Sequence, residues 1–153
     1  MTPERATAAS DWDAVRNLIG AAFAYMEPRL GHPSRAVKDS PVDLERAAAD
    51  GTCWLIIETG VPVACLFTRS SRDDPTALYI GKLAVADAAR GRGFARELVE
   101  AAAKEARMLG FRSLTLDTGA VFPELHDTFA RLGFGPPRPR KGEPGIVSLS
   151  RAL

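Results

Sequence analysis

The most informative segment of the chain is GKLAVADAARGRGFAREL, residues 81–98, which passes from an apolar run through two arginine-flanked glycines into a helical pattern. Gly91 and Gly93 carry no Cβ that would hold a ligand away from the backbone. The first turn of a helix has about four N–H groups without internal partners and about half a positive charge. The segment therefore predicts a local anion site where a strand leads into a helix.

Spacing and charge limit the other interpretations of this segment. A dinucleotide-binding G-x-G-x-x-G beginning at Gly91 would need glycine in place of Arg96, and no G-x-x-x-x-G-K-[ST] occurs. The chain has 20 Lys and Arg against 19 Asp and Glu, which argues against nucleic-acid binding through RGRG or RPRK. We therefore expect no nucleic-acid partner. A turn without a ligand is the structural alternative.

Length and composition bound the class of protein. The 153 residues, 46% of them hydrophobic, predict one domain spanning residues 1–153. No apolar signal core and no run of about 18 apolar residues is present, so we expect a cytoplasmic protein without a membrane partner. Cys53 and Cys65 lie in apolar runs without metal-ligand spacing, and we interpret them as buried thiols. A disulfide between paired strands is the alternative.

Two helices are predicted before the glycines. The first begins behind Ser10 or Asp11, and the second begins at the N-cap Ser40, followed by Pro41, and ends at Gly51. The apolar residues of the first helix have helical spacing and are Trp12, Val15, Leu18, Ile19, Ala22, Phe23 and Met26.

Two more helices are predicted after the glycines. The third ends at Gly110, and the fourth, in PELHDTFARLGF, ends at Gly133 with Leu125, Phe129 and Leu132 inward. The third helix has two faces. Its apolar face holds Phe94, Leu98, Val99, Ala102, Ala106 and Leu109, and its solvent face holds Arg96, Glu97, Glu100, Lys104 and Glu105.

Runs of apolar and β-branched residues predict the strands, and a break of only Thr59 and Gly60 predicts a hairpin. With the helices, they indicate an α+β fold: a mixed, mostly antiparallel sheet covered by helices on both faces. The predicted strands are residues 4–8, 52–58, 61–69, 76–85, 112–118 and two short strands within 135–153.

With these elements in place, the sequence resembles the GCN5-related N-acetyltransferase (GNAT) family. RGRGFA, residues 90–95, fits that family's [QR]-x-x-G-x-[GA] motif at every fixed position, directly after a strand and at a helix start. ARLGF, residues 130–134, looks like the end of its second motif about 40 residues downstream. The order of elements matches over nearly the whole chain.

The resemblance implies a cofactor site for acetyl-CoA, as cosubstrate, or a related acyl-CoA. His32 has no partner at metal-ligand spacing, so we expect no metal. The pyrophosphate would lie on backbone N–H groups of residues 92–95, and the pantetheine arm would pair with Leu83 and Val85. The N–H of Val85 is the candidate oxyanion donor by analogy. The implied cofactor-binding residues are Leu83, Ala84, Val85, Arg90, Gly91, Arg92, Gly93, Phe94, Ala95, Arg96 and Phe129.

The resemblance also implies direct attack of an amine on the thioester. Many family members have a tyrosine that can protonate the leaving thiolate at the position of Phe129, which cannot donate a proton. Asp117, Glu124 and His126 are the nearby catalytic candidates; a structural role is the alternative for each. Tyr25, Glu27 and His32 are candidates for acceptor binding, and their types select no substrate.

These features predict an N-acetyltransferase acting on a small-molecule amine or a protein amino group, as a monomer or homodimer. The alternative is a non-catalytic acyl-CoA-binding regulatory module, which the phenylalanine at position 129 would permit. Turnover on amines separates the two interpretations.

Overall fold

A seven-stranded sheet forms the centre of the computed structural model, which describes residues 2–153. Its strands are β1 (Glu4–Arg5), β2 (Thr52–Glu58), β3 (Val61–Ser70), β4 (Ala77–Val85), β5 (Ser113–Gly119), β6 (Arg138–Pro139) and β7 (Ile146–Ala152). They lie in the order β1-β2-β3-β4-β5-β7-β6, and β4 with β5 is the parallel pair in an otherwise antiparallel sheet. The predicted α+β class is confirmed.

Capping side chains fix the starts of the first helices. Asp11 accepts a hydrogen bond from the backbone N–H of Ala14 at 3.0 Å. Ser40, the predicted N-cap, forms a reciprocal capping box with Asp43, three residues further along. The helices are α1 (Trp12–Phe23), α2 (Glu27–Leu30), α3 (Pro41–Asp50), α4 (Phe94–Met108) and α5 (Pro123–Arg131), with 3₁₀ turns at Ala24–Met26, Arg35–Val37 and Asp87–Ala89.

Local structure differs from the predictions at the N-terminal end. The first strand covers residues 4–5 rather than 4–8, because the chain turns from Thr7 to Ser10 to begin α1. The segment between the two predicted N-terminal helices, for which the sequence predicts no further helix, contains α2 and the 3₁₀ turn Arg35–Val37. Gly31 ends α2 in the left-handed conformation, φ 79°, which favours glycine.

Two apolar clusters hold helices to opposite faces of the sheet. On one face, residues of α4 such as Leu98 cluster with strand residues such as Leu114. On the other face, α1 and α3 pack around Ile19 and Phe67. Two predictions for α4 were wrong. Leu109 is 64% exposed at the helix end, and Glu105 is only 5% exposed.

Both cysteines are free, buried thiols, and no disulfide joins them. The register places Cys53 opposite Phe67 and Cys65 opposite Leu55, so the two thiols do not face each other across the hairpin. Burial raises the pKa of Cys53, and it raises the pKa of Cys65 to about 12. Both side chains are therefore unreactive thiols at neutral pH.

Candidate active site

A cleft opens where β4 and β5 diverge. The two strands pair only over residues 77–79 and 113–115, and beyond Tyr79 they separate around a cavity of about 660 Å³. Residues 80–85 of β4 line one side and residues 116–118 of β5 line the other, while α1 and α5 supply the flanks. The β4 edge in this cavity faces no neighbouring strand, so an extended ligand with amide groups can pair with it.

An irregularity in β4 lies beside the cavity. The pairing of β3 with β4 shifts between Cys65 and Phe67, and Lys82 has a positive φ of 51°. Its ammonium group meets the Asp39 carboxylate at 3.0 Å on the side of α1. Such a bulge changes the direction of the strand. Leu83, Ala84 and Val85, which follow it, all line the cavity.

The N-terminus of α4 closes one end of the cleft. Gly91 and Gly93 have φ of 77° and 81°, the left-handed region that favours glycine. Gly93 is the N-cap, and no side chain within residues 2–153 caps this helix end. A Cβ at either glycine would meet no atom within 4 Å, so the space above this turn is open. The backbone N–H groups in the first turn of α4 therefore have room for an anion the size of a pyrophosphate.

The arginines around this turn have different partners. Arg90 lines the cavity and pairs with Asp87 at 3.2 Å. Arg92 binds the Glu58 carboxylate at 2.8 and 2.5 Å, which raises the pKa of Arg92 and lowers that of Glu58. Arg96 donates to the carbonyl of Arg131 at 3.0 Å. Of the three, Arg90 alone is part of the cavity wall. Phe94 and Ala95, in the first turn of α4, also line it.

Asp117 and Phe129 face the cleft from β5 and α5. The Asp117 carboxylate accepts hydrogen bonds from Ser148 Oγ at 2.5 Å and from Arg140 Nη1 at 3.1 Å. Phe129 packs edge-to-face against Phe134, with ring centroids 5.8 Å apart. The structure therefore brings one acidic and one aromatic candidate to the same cavity.

A contact between α2 and α5 borders the cleft. Arg29 forms an ion pair with Glu124 and donates to the carbonyl of Val121, and it lies over the ring of Phe122. The hydrogen bond from Arg29 holds the pKa of the Glu124 carboxyl below its usual value, which makes it a weaker base. Tyr25 lines the cavity beside it, and burial, with the Glu124 charge, raises its pKa.

Besides Arg92 and Arg96, three predicted catalytic or acceptor-binding residues do not line the cavity. Glu27 lies exposed in the first turn of α2, and His32 is exposed, with Nδ1 2.9 Å from the carbonyl oxygen of Pro33. His126 lies one helical turn from Phe129, but its Nε2 is 3.0 Å from the carbonyl oxygen of Gly119 at the end of β5. Within residues 2–153 there is no cluster of metal-ligating side chains and no helix of the length and hydropathy that a membrane span requires.

Tyr79 is a neighbour of the cleft that the sequence analysis missed. Its ring packs against Gly81, where an added Cβ would lie only 3.1 Å from Tyr79 Cε1. The Arg69 guanidinium stacks on the ring, with its carbon 4.0 Å from the centroid. Strand alternation places Tyr79 and Gly81 on one face, so this signal was present in the sequence once β4 was assigned.

The fold and the cleft define an α+β protein whose site combines an open strand edge with an uncapped helix N-terminus. Solved structures share this fold. The GNAT domain of S. lividans PAT has a TM-score of 0.77 at 20% identity, covering 99% of this chain and 89% of that one. A GNAT-family acetyltransferase from Staphylococcus aureus has a TM-score of 0.78 at 14% identity, covering 99% and 98%.

A Bacillus subtilis acetyltransferase solved in complex with CoA has a TM-score of 0.68 at 17% identity, covering 99% of this chain and 98% of that chain. The profile of the acetyltransferase (GNAT) family matches residues 12–134. The chain belongs to this GNAT family of acetyltransferases, and membership implies acyl transfer that depends on an acyl-CoA.

Proposed function

We propose that the protein is an N-acetyltransferase that moves the acetyl group of acetyl-CoA to a primary amine of a small molecule or a protein. The observation that carries the proposal is the open edge of β4 continuing into the uncapped N-terminus of α4. One acetyltransferase domain over residues 1–153, a cytoplasmic location and a monomeric or homodimeric state are parts of this proposal.

In this proposal the chain binds the cosubstrate mainly through its backbone. The N–H groups of residues 92–95 hold the pyrophosphate, and the backbone of Leu83 and Val85 pairs with the amide-bearing arm. Acetyl-CoA supplies an acyl group activated as a thioester. Because Arg92 already forms an ion pair with Glu58, we propose the N-terminus of α4, rather than arginine side chains, as the main anion-binding element.

Asp117 is the proposed group that orients the acceptor amine. Asp117 lines the cavity, and a carboxylate can accept about four hydrogen bonds, so it has capacity beyond Ser148 and Arg140. Glu124 and His126 stay catalytic candidates with weaker support, because Arg29 engages the first and the end of β5 engages the second. The Val85 N–H is the proposed oxyanion donor.

One observation favours the alternative of a non-catalytic acyl-CoA-binding module. Phe129 lines the cavity without a hydroxyl, so the usual proton donor is absent at that position. Measuring thiol release from acetyl-CoA across a panel of amines separates the two. Because both protein thiols are buried, a thiol reagent reports released CoA above a low background. Tight CoA binding without release on any amine would support the module.

A pair of glycine variants tests the cosubstrate site. Gly93→Trp should lower CoA affinity at least tenfold, because the indole would occupy the open space at the N-terminus of α4. Gly110→Trp is the matched control: Gly110 also has a positive φ, 85° against 81°, and open space, at the opposite end of the helix. Both variants should lose similar unfolding free energy, about 1–2 kcal/mol, from backbone strain. CoA affinity unchanged in Gly93→Trp would contradict the assignment.

A further inference from the structure

Beside the cleft, on the face of the sheet that carries α1 and α3, the apolar cluster gives way to charged side chains. Phe67 belongs to that cluster, and Arg69 follows it on the same face of β3, opposite Tyr79 on β4. On β5, Leu116 packs beneath α4, so strand alternation turns Asp117 to the face of Arg69. Asp117 and Arg69 therefore flank Tyr79 on one surface.

The carboxylates on this surface are already paired with cations. Arg140 forms ion pairs with three of them, and Lys82 forms an ion pair with the fourth. The pairs are Asp39 with Lys82 at 3.0 Å, and Asp73, Asp117 and Glu143 with Arg140 at 2.7, 3.1 and 3.0 Å. A substrate with several positive charges would have to share carboxylates that already have cationic partners, whereas a single amine can use the acceptor capacity that Asp117 retains.

Arg69 is the exception on this surface. Its guanidinium is half-buried and stacks on Tyr79, and it forms no ion pair within residues 2–153. Nη1 donates to the carbonyl of Ser70 at 3.2 Å, which leaves other donors of the planar group free. Burial, with the charges of Arg72 and Arg140, lowers the pKa of Arg69 although the Asp117 charge opposes this, so a further anion beside the guanidinium would stabilise its charged form.

We propose that the acceptor is a small amine that also carries a carboxylate, with Arg69 binding the carboxylate and Asp117 holding the amine at the cleft. This inference rests on the proposed function. Arginine suits the task because its planar group binds carboxylates in a bidentate manner while stacking on an aromatic ring. Tyr79 pairs with Thr115, and Asp117 lies two residues further along β5. Two residues of strand correspond to roughly 7 Å, a separation that an amino acid with a few carbons between its amine and carboxylate can span.

The test compares amines that differ only in the carboxylate: 3-aminopropanoate and 5-aminopentanoate against their carboxamides. One of the two amino acids will be the better substrate of the wild-type protein. For that amino acid, kcat/KM for thiol release should be roughly 10- to 100-fold higher than for its carboxamide. Arg69→Gln should remove this preference through KM, Arg69→Lys should retain part of it, and CoA affinity should not change. Arg107→Gln, an equal loss of charge on the α4 side, should keep the preference.

The outcomes separate this inference from the proposed function. Release of thiol with amines at equal rates for carboxylate and amide would overturn the carboxylate assignment and leave the acetyltransferase proposal standing. If none of the amines causes thiol release, the acetyltransferase proposal is contradicted. Binding then decides the role of Arg69: 5-aminopentanoate should raise the thermal unfolding midpoint of the CoA-loaded wild type but not of Arg69→Gln. No shift in the wild type would overturn the inference.

Discussion

Phe129 lies in the wall of the cleft, on the same side as the N-terminus of α4. Its edge-to-face contact with Phe134 and its partial burial fix the ring against the core. A phenylalanine here contributes apolar contact to a bound ligand and no proton. The protonation of a leaving thiolate would then depend on water or on a side chain elsewhere in the cavity.

Restoring the hydroxyl tests this view of Phe129. Phe129→Tyr should raise kcat for thiol release about tenfold, within the range that a positioned general acid supplies, with little change in KM. The matched control is Phe111→Tyr, which adds the same hydroxyl to a partly buried ring that does not line the cleft. A kcat for Phe129→Tyr equal to that of the wild type would show that no proton donor is needed at this point.

Among the elements, α4 is tied to the sheet by a buried carboxylate as well as by apolar contacts. Glu105 accepts hydrogen bonds from Thr52 Oγ1 at 2.9 Å, from Trp54 Nε1 at 2.8 Å and from Thr68 Oγ1 at 3.1 and 3.2 Å. All the donors are neutral and come from β2 and β3. The carboxylate therefore fixes the position of α4 across these two strands.

Loss of this acceptor should destabilise the fold. Glu105→Leu leaves the indole N–H and two hydroxyls without their partner and should lower the unfolding free energy by about 1–3 kcal/mol in urea titration. Glu105→Gln keeps one carbonyl oxygen for Trp54, and threonine hydroxyls can rotate, so its loss should be smaller. Glu45→Gln, on the exposed side of α3, is the control. Equal stability of all three variants would contradict the role of Glu105.

The elements themselves were largely predictable, because their signals are local. Ser40, Pro41 and Asp43 mark the start of α3, and Thr59 with Gly60 marks the hairpin. Helical spacing alone placed Glu105 on the solvent face. Its actual burial depends on donors that are 37 to 53 residues away in the sequence, and no local pattern indicates such partners.

The candidate site was predictable in part, for a related reason. The glycines and the β4 edge lie in one segment, so their shared position follows from the strand-to-helix order. His126 was expected near the cleft from its spacing to Phe129, but the helix turns it towards the end of β5. Arg69 and Tyr79 meet only through the register of β3 with β4, which the sequence does not specify.

At the scale of the whole molecule, the cleft interrupts the hydrogen bonding of the sheet. Addition of CoA should therefore slow amide exchange in residues 82–85 and in the first turn of α4, because a pairing ligand would protect these groups. Amides of β2 between residues 53 and 56, which lie in strand pairs away from the cleft, serve as the internal control. Uniform slowing across the sheet, or none, would contradict pairing along β4.

The short parallel contact between β4 and β5 has a mechanical consequence. Residues 77–79 and 113–115 are the backbone seam between two antiparallel half-sheets, β1 to β4 and β5 to β7. Beyond this seam, the halves are joined by the side chains packed beneath α4. A molecule seated in the cleft would touch both halves and so act as a brace across the seam.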